Sequence, residues 1–229
     1  MNAIILAGGK GSRLAPWHAP KCLLPIGGIT ILQRLLRHLL VVHEEIVDRV
    51  IVCSGYRDAE VKASISEHGW QPTVVLCSFA GEDAPMGARL LQAQPMTNSK
   101  RVLICYGDEL ADVDLRRLIA VHENNRYRMT FATVPASIPG GTVLQNEVTG
   151  RLAIVEDERR LVNIGFVLVE PDCWTQLRGE DGLSHWITRV SQSVDEKCHD
   201  EFVGPYLHDG KRATINSLAD LPIAEELWR

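Results

Sequence analysis

The chain has 229 residues, 45% hydrophobic and 23% charged, with a formal net charge of −5. That length suits one domain with a sizeable core, and the composition is that of a soluble globular protein. The mild acidity, with no basic block, argues against non-specific nucleic-acid binding, so any anionic ligand must be held by local cations.

The six cysteines are scattered without a C-x-x-C pair, and the eight histidines form no H-x-x-x-H cluster. Zinc and disulfide frameworks are not expected, and thiols inside apolar runs read as free and buried. The amino-terminal apolar run is short and lacks a basic lead-in, and no run reaches membrane-spanning length. A cytoplasmic protein with no membrane partner is therefore the expectation.

The run "AIILAGG" reads as a buried parallel strand closed by glycines. "TILQRLLRHLLVVHEEIV", residues 30–47, carries apolar pairs at helical spacing, with Thr30 as its N-cap. "RVIVCSGY" is a second buried strand. "DAEVKASISEHG" is a helix stopped by Gly69. "TVVLCSF" is a third strand, and "APMGARLLQAQ" is a turn running into a helix. "RVLICYGDEL" is a fourth strand ending in an acidic pair. "VDLRRLIAVHENN" is a helix capped by Asp114. Beyond it, "RMTFATVPA" and "NIGFVLVEP" read as strands and "TGRLAIVEDE" as an antiparallel piece. "ATINSLADLPIAEELW" reads as a strand end, a turn and a terminal helix.

Strands alternating with helices imply βαβ units. The expected fold is a single α/β domain, Rossmann-like, with a mixed, largely parallel sheet flanked by helices. Residues from 1 to about 125 would bind a nucleotide and those from about 126 to 229 an acceptor. Ligands of such sheets bind beyond the carboxyl ends of the strands. Gly8 to Arg13, Gly55, and Gly107 with Asp108 all fall at such ends.

Glycines directly after a strand permit tight turns, and their successive N–H groups can cradle anionic oxygens. The pattern G-G-x-G-x-R is neither a P-loop nor a dinucleotide fingerprint. "LAGGKGSRLAPWHAPKCLLPIGGITIL" resembles the amino-terminal signature of the sugar-1-phosphate nucleotidyltransferases. "YGDELADVDLRRLIAVHE", "VNIGFVLVEPDCW" and "TINSLADL" resemble that family's metal-binding, sugar-binding and closing segments.

The resemblance implies nucleotidyl transfer from an NTP to a phosphorylated sugar, with Mg²⁺ as cofactor. In that chemistry, positioning and charge neutralisation dominate. It makes Arg13 and Lys21 catalytic: Arg13 at the leaving pyrophosphate, Lys21 at the α-phosphate. Leu6, Ala7, Gly8, Gly9, Gly11, Ser12, Gly87 and Gly107 would contact the nucleotide. Asp108 would be a magnesium ligand, with Asn216 or Asp209 as the second. Gly141, Arg159, Arg160, Asn163 and Gly165 would meet the acceptor. A homo-oligomer is compatible with this reading.

Four departures matter. The segment ahead of Pro20–Lys21 is short and holds Trp17 and His18. No lysine precedes the Asn163 strand, where Arg159 or Arg160 could substitute. Thr214 stands where relatives often carry the second metal aspartate. Ala88 and Arg89 follow Gly87 where uridylyl and thymidylyl enzymes often have glutamine, which favours guanylyl or cytidylyl transfer. The same features leave open a cytidylyltransferase acting on phosphocholine or a phosphonate, and a catalytically silent homologue.

Overall fold

The computed structural model describes residues 1–136, 142–145, 152–155, 160–193 and 203–228. Nine strands and six α-helices position the site. The strands are β1 (Asn2–Leu6), β2 (Arg49–Ser54), β3 (Val75–Phe79), β4 (Val102–Tyr106), β5 (Glu109–Ala111), β6 (Met129–Pro135), β7 (Leu161–Val169), β8 (Val203–Leu207) and β9 (Arg212–Thr214). The helices are α1 (Ile31–Arg37), α2 (Asp58–Glu67), α3 (Met86–Ala93), α4 (Leu115–Asn124), α5 (Leu183–Gln192) and α6 (Leu221–Leu227).

Seven strands form one sheet in the order β8-β6-β7-β4-β1-β2-β3. All neighbours are parallel except β7, which runs antiparallel to both β4 and β6. The mixed, largely parallel sheet expected from the sequence is therefore present, and strands from both parts of the chain share it. The predicted antiparallel piece pairs Leu152–Val155 with Thr142–Gln145. β5 and β9 form a separate antiparallel ribbon, Glu109 opposite Thr214.

The centre of the sheet is apolar on both faces, as a covered parallel strand must be. Along β1 the side chains alternate between two cores. Ala3 and Ile5 join one with Leu32, Leu35, Leu36 and Phe166, while Ile4 joins the other with Leu90, Val167 and Trp186. Burial of such side chains supplies the main stabilising term. Cys22, Cys53, Cys105 and Cys173 are free buried thiols and Cys77 is a free half-buried one, as expected. Cys198 lies outside the described residues.

Two helix starts follow the sequence. Thr30 Oγ1 accepts from Gln33 N at 3.2 Å, and Asp114 accepts from Arg116 N and Arg117 N. The first helix is shorter than its apolar pattern predicts. Its α-helical part ends at Arg37 and His38–Val42 form a π-helical turn. His38 and His43 both hydrogen-bond the Val113 carbonyl, at 3.0 and 3.2 Å. Residues five apart face the same way only in the wider π spacing, so this shared acceptor favours the wider turn. β8 and α5 lack a clear sequence signal. β8 contains Pro205, which an edge strand tolerates.

Candidate active site

The register aligns Leu6 with Cys53 on one side and with Tyr106 on the other. The loops that follow these three residues therefore open at one edge of the sheet. Gly107 crosses closest: a Cβ there would lie 2.7 Å from the Leu6 carbonyl. Only glycine lets the β4 loop pack so tightly on β1.

A cavity of about 260 Å³ lies at this edge, lined by Leu6, Ala7, Gly9, Lys21, Cys22, Met86, Tyr106, Gly107, Asp108 and Leu183. Six of the sequence-predicted residues thus share one space: Leu6, Ala7, Gly9, Lys21, Gly107 and Asp108. Gly11 adopts φ of 65°, and a Cβ there would press on the Leu14 and Lys21 side chains. Ser12 and Arg13 begin a short 3-10 turn, both exposed.

Lys21 is only 7% exposed, yet its Nζ donates to Asp108 Oδ2 at 2.7 Å. Buried ammonium groups need such a partner. The short segment before it does not take Lys21 out of reach. The Lys21 N–H donates to the Gly9 carbonyl at 3.3 Å. The His18 carbonyl accepts from Tyr56 Oη at 3.2 Å and from Arg57 Nη1 at 2.9 Å. Trp17 packs against the core.

Arg13 Nη2 donates to Asn216 Oδ1 at 3.2 Å. The Ile215 N–H donates to the Asp108 carbonyl at 3.3 Å, which sets Asn216 beside the Asp108 loop. The Asn216 and Ser217 N–H groups donate to the Asp220 carboxylate, holding it below its ordinary range. Asp209 instead pairs with Arg117 at 3.2 Å, at the far end of the β5–β9 ribbon.

Glu109 turns the other way from Asp108. It is buried, accepts from Thr214 Oγ1 at 2.6 Å, and lies against Gly165. Burial, with repulsion from Asp108, pushes its carboxyl up to about 7.

The acceptor-side residues approach through β7. Gly165, at φ of 76°, sits in an irregularity of the β6–β7 register, and a Cβ there would meet Tyr106 and Glu109. Asn163 Oδ1 accepts from Gly165 N at 3.0 Å, and Asn163 also hydrogen-bonds the Tyr106 side chain. Burial raises the Tyr106 hydroxyl to about 12, so it stays protonated. Arg160 is exposed, with its carbonyl accepting from Ala136 N at 2.8 Å. Gly141 and Arg159 lie outside the described residues.

Gly87 and Gly8 owe their lack of a side chain to protein neighbours. A Cβ at Gly87 would lie 2.0 Å from the Arg178 carbonyl, and one at Gly8 would lie 1.9 Å from Arg89 Nη1. Gly87 thus packs under the loop leading into α5, which carries Leu183 to the cavity. Met86, Leu183 and Tyr106 escaped sequence reasoning because nothing in their spacing marks them. Only the alignment of strand ends and the packing of α3 on the 178–181 loop bring them together.

The oxygens near the cavity suit a hard cation. Asp108 offers a carboxylate that is 38% exposed, and Asn216 offers an exposed amide oxygen. Magnesium takes few protein oxygens and completes its shell with water and phosphate, so this donor set fits it.

A family model for the MobA-like NTP transferase domain matches residues 3–193. The chain belongs to that family. It is a nucleotidyltransferase, as the opening motif led us to expect. A probable glucose-1-phosphate cytidylyltransferase of Bacillus subtilis is 24% identical over 252 positions, covering 100% of this chain and 96% of its own. The glucose-1-phosphate cytidylyltransferase of Salmonella typhi is 26% identical, with the same coverage of both chains. A mannose-1-phosphate guanylyltransferase of Mycobacterium tuberculosis is 27% identical over 61% of this chain and 38% of its own.

Solved structures agree on the fold. HddC from Yersinia pseudotuberculosis complexed with GMP-PN superposes with a TM-score of 0.65 at 19% identity, covering 100% of this chain and 99% of that one. The inositol-1-phosphate CTP transferase of T. maritima gives 0.71 at 15% identity, covering 99% and 94%. Among the described residues, no helix of the transferase is long and apolar enough to cross a membrane.

Proposed function

We propose that this chain transfers a cytidylyl or guanylyl group from a nucleoside triphosphate to a sugar 1-phosphate, releasing pyrophosphate and forming a nucleotide sugar. The observation that carries the reading is the Lys21–Asp108 pair in a cavity whose other walls are apolar. Fixed charges suit phosphates, and the Leu6, Met86 and Leu183 surface suits a flat base. The relatives aligned along the whole chain, named as cytidylyltransferases of glucose 1-phosphate, support the substrate class.

In this reading an oxygen of the sugar phosphate attacks the α-phosphorus in line. The new P–O bond forms as the bond to the β-phosphate oxygen breaks. Lys21 neutralises the α-phosphate, and Arg13 meets the departing pyrophosphate with its planar fork. Magnesium, when bound, would be held by Asp108 and Asn216 and would supply further neutralisation of phosphate charge. The backbone of Gly8, Gly9 and Gly11 would cradle the phosphates, with Gly8 packed on Arg89 and Gly11 on Leu14 and Lys21, and Gly107 keeps the β4 loop close to β1. Asn163 and Gly165 shape the acceptor end through Tyr106, and Arg160 or Arg159 meets the acceptor phosphate. The free buried thiols suit a reducing cytoplasm.

The test is pyrophosphate release from each of four NTPs against hexose 1-phosphates, phosphocholine and a phosphonate. We expect CTP or GTP with a hexose 1-phosphate, and silence in excess chelator. Turnover restricted to phosphocholine or the phosphonate would overturn the acceptor assignment. Full activity in chelator would overturn the metal.

A further inference from the structure

Arg89, in the first turn of α3, is a cation that the proposed chemistry does not use. The residue is buried, 8% exposed, and its guanidinium is held by backbone carbonyls. Nε donates to the Ala84 carbonyl at 2.9 Å, Nη2 to the Glu82 carbonyl at 2.9 Å, and Nη1 to the Ser54 carbonyl. Three backbone acceptors on two separate segments therefore share one planar fork, which a lysine ammonium cannot imitate.

The fork also fills space that two glycines leave. A Cβ at Gly8 would lie 1.9 Å from Nη1, and one at Gly55 would lie 2.1 Å from it. Gly8 stands between Ala7 and Gly9, both of which line the cavity. The 82–84 segment leads directly into Met86, which lines it too. On the outer side the same segment is clasped to the glycine loop by Lys10 and Asp83 at 2.6 Å, an exposed pair of little energetic weight. The buried fastening is the one able to fix geometry.

We propose that Arg89 is the positioning residue of the nucleobase pocket: it ties the end of β2 and the 82–84 segment against the back of the glycine loop, and so sets the distance between that loop and the Met86 wall. The inference rests on the nucleotidyl-transfer reading above. A base between these two surfaces is gripped only when their spacing is fixed. The residue thus governs which base fits, while touching none of the reacting atoms.

The experiment measures KM for each NTP, KM for the sugar phosphate and kcat in wild type, Arg89→Met, Arg89→Lys and Gly55→Ala, with a thermal melt of each. Loss of about three charge-assisted hydrogen bonds should raise KM for the preferred NTP about ten- to a hundredfold. Preference among the four NTPs should narrow, and the sugar-phosphate KM should stay within about twofold. Arg89→Lys should recover little, because one ammonium reaches one or two of the carbonyls. Gly55→Ala, which keeps the charge but displaces the fork, should raise the NTP KM in the same way, and its effect should vanish in the Arg89→Met background.

Folded variants with wild-type NTP KM and base preference would overturn the proposal. So would full recovery by Arg89→Lys, and so would unfolding of all three variants, since Arg89 would then hold the fold and not the pocket. If the wild type releases no pyrophosphate from any NTP, the underlying reading fails instead, and the two failures are distinct.

Discussion

The floor and the rim of the crevice hold their cations in different ways. On the floor, Lys21 is buried and locked to a carboxylate at 2.7 Å. At the rim, Arg13 is exposed and rests on a neutral amide oxygen at 3.2 Å. A buried ammonium without its partner would face a heavy desolvation penalty, so the floor is arranged before any ligand arrives. An exposed guanidinium on an amide gives up little to leave it, so the rim can swing onto an incoming phosphate. In the proposed function the difference separates a preorganised neutralising group from a recruitable one, and both would serve a reaction in which charge moves along a triphosphate.

The largest effect should follow from breaking the floor. Asp108→Asn removes the charge opposite Lys21 and at once weakens the proposed hard-cation ligand. Turnover should fall by at least about 10³, beyond the cost of one lost transition-state contact. Initial-rate assays across magnesium concentration check this, and an active, folded variant would mean that Lys21 is not held for catalysis by Asp108.

Breaking the rim should cost rate without stability. Arg13→Ala should lower kcat about 10²–10³-fold, as loss of an aligned electrostatic contact does. Its melting temperature should stay put, because exposed positions away from packing rarely move stability by more than about 0.5 kcal/mol. A large drop in melting temperature with turnover preserved would reverse the roles of floor and rim. Asn216→Ala should be milder still, about tenfold in kcat, since a neutral oxygen carries less of the metal's charge. Its apparent magnesium affinity should weaken in the same assay, and an unchanged magnesium profile would remove Asn216 from the site.

How much of this was legible in the sequence follows the same divide. The glycine loop, Lys21 and Asp108 sit at the ends of parallel strands, where an apolar run followed by glycine or acid announces a crevice. The sheet's parallel half was readable for that reason. In the acceptor half the apolar runs announced β6, β7 and the antiparallel piece, but not how they pair. β7 enters antiparallel, and its Gly165 sits in a register irregularity that no periodicity reveals. β8 hides behind a proline, and α5 shows only through Trp186 and Val190 reaching the second core. Arg89 was visible only as a departure after Gly87. Its meaning depends on carbonyls from residues 54, 82 and 84, which only the folded backbone gathers.

The smallest effect on turnover should fall on Glu109, the carboxylate adjacent to Asp108 in sequence but beneath the β5–β9 ribbon in space. Burial first, then repulsion from Asp108, raises it to about 7, while the Thr214 hydrogen bond, Arg212 and Lys21 pull the other way. An acid whose folded pKa lies above its unfolded value near 4.5 binds its proton more tightly in the native state. The stability it contributes is fully present below about pH 4.5 and is lost as pH rises through about 7. Glu109→Gln keeps an oxygen for Thr214 and cannot ionise, so it removes that loss. Between pH 5 and pH 8 the wild-type melting temperature should fall relative to the variant by on the order of 5 °C. Thermal melts in chelator, without nucleotide, read this directly. Turnover at neutral pH should change by less than about threefold, because one deeply buried hydrogen bond is retained. A wild-type-minus-variant difference that stays flat with pH would show that Glu109 titrates normally, and the floor would then be wetter than its packing implies.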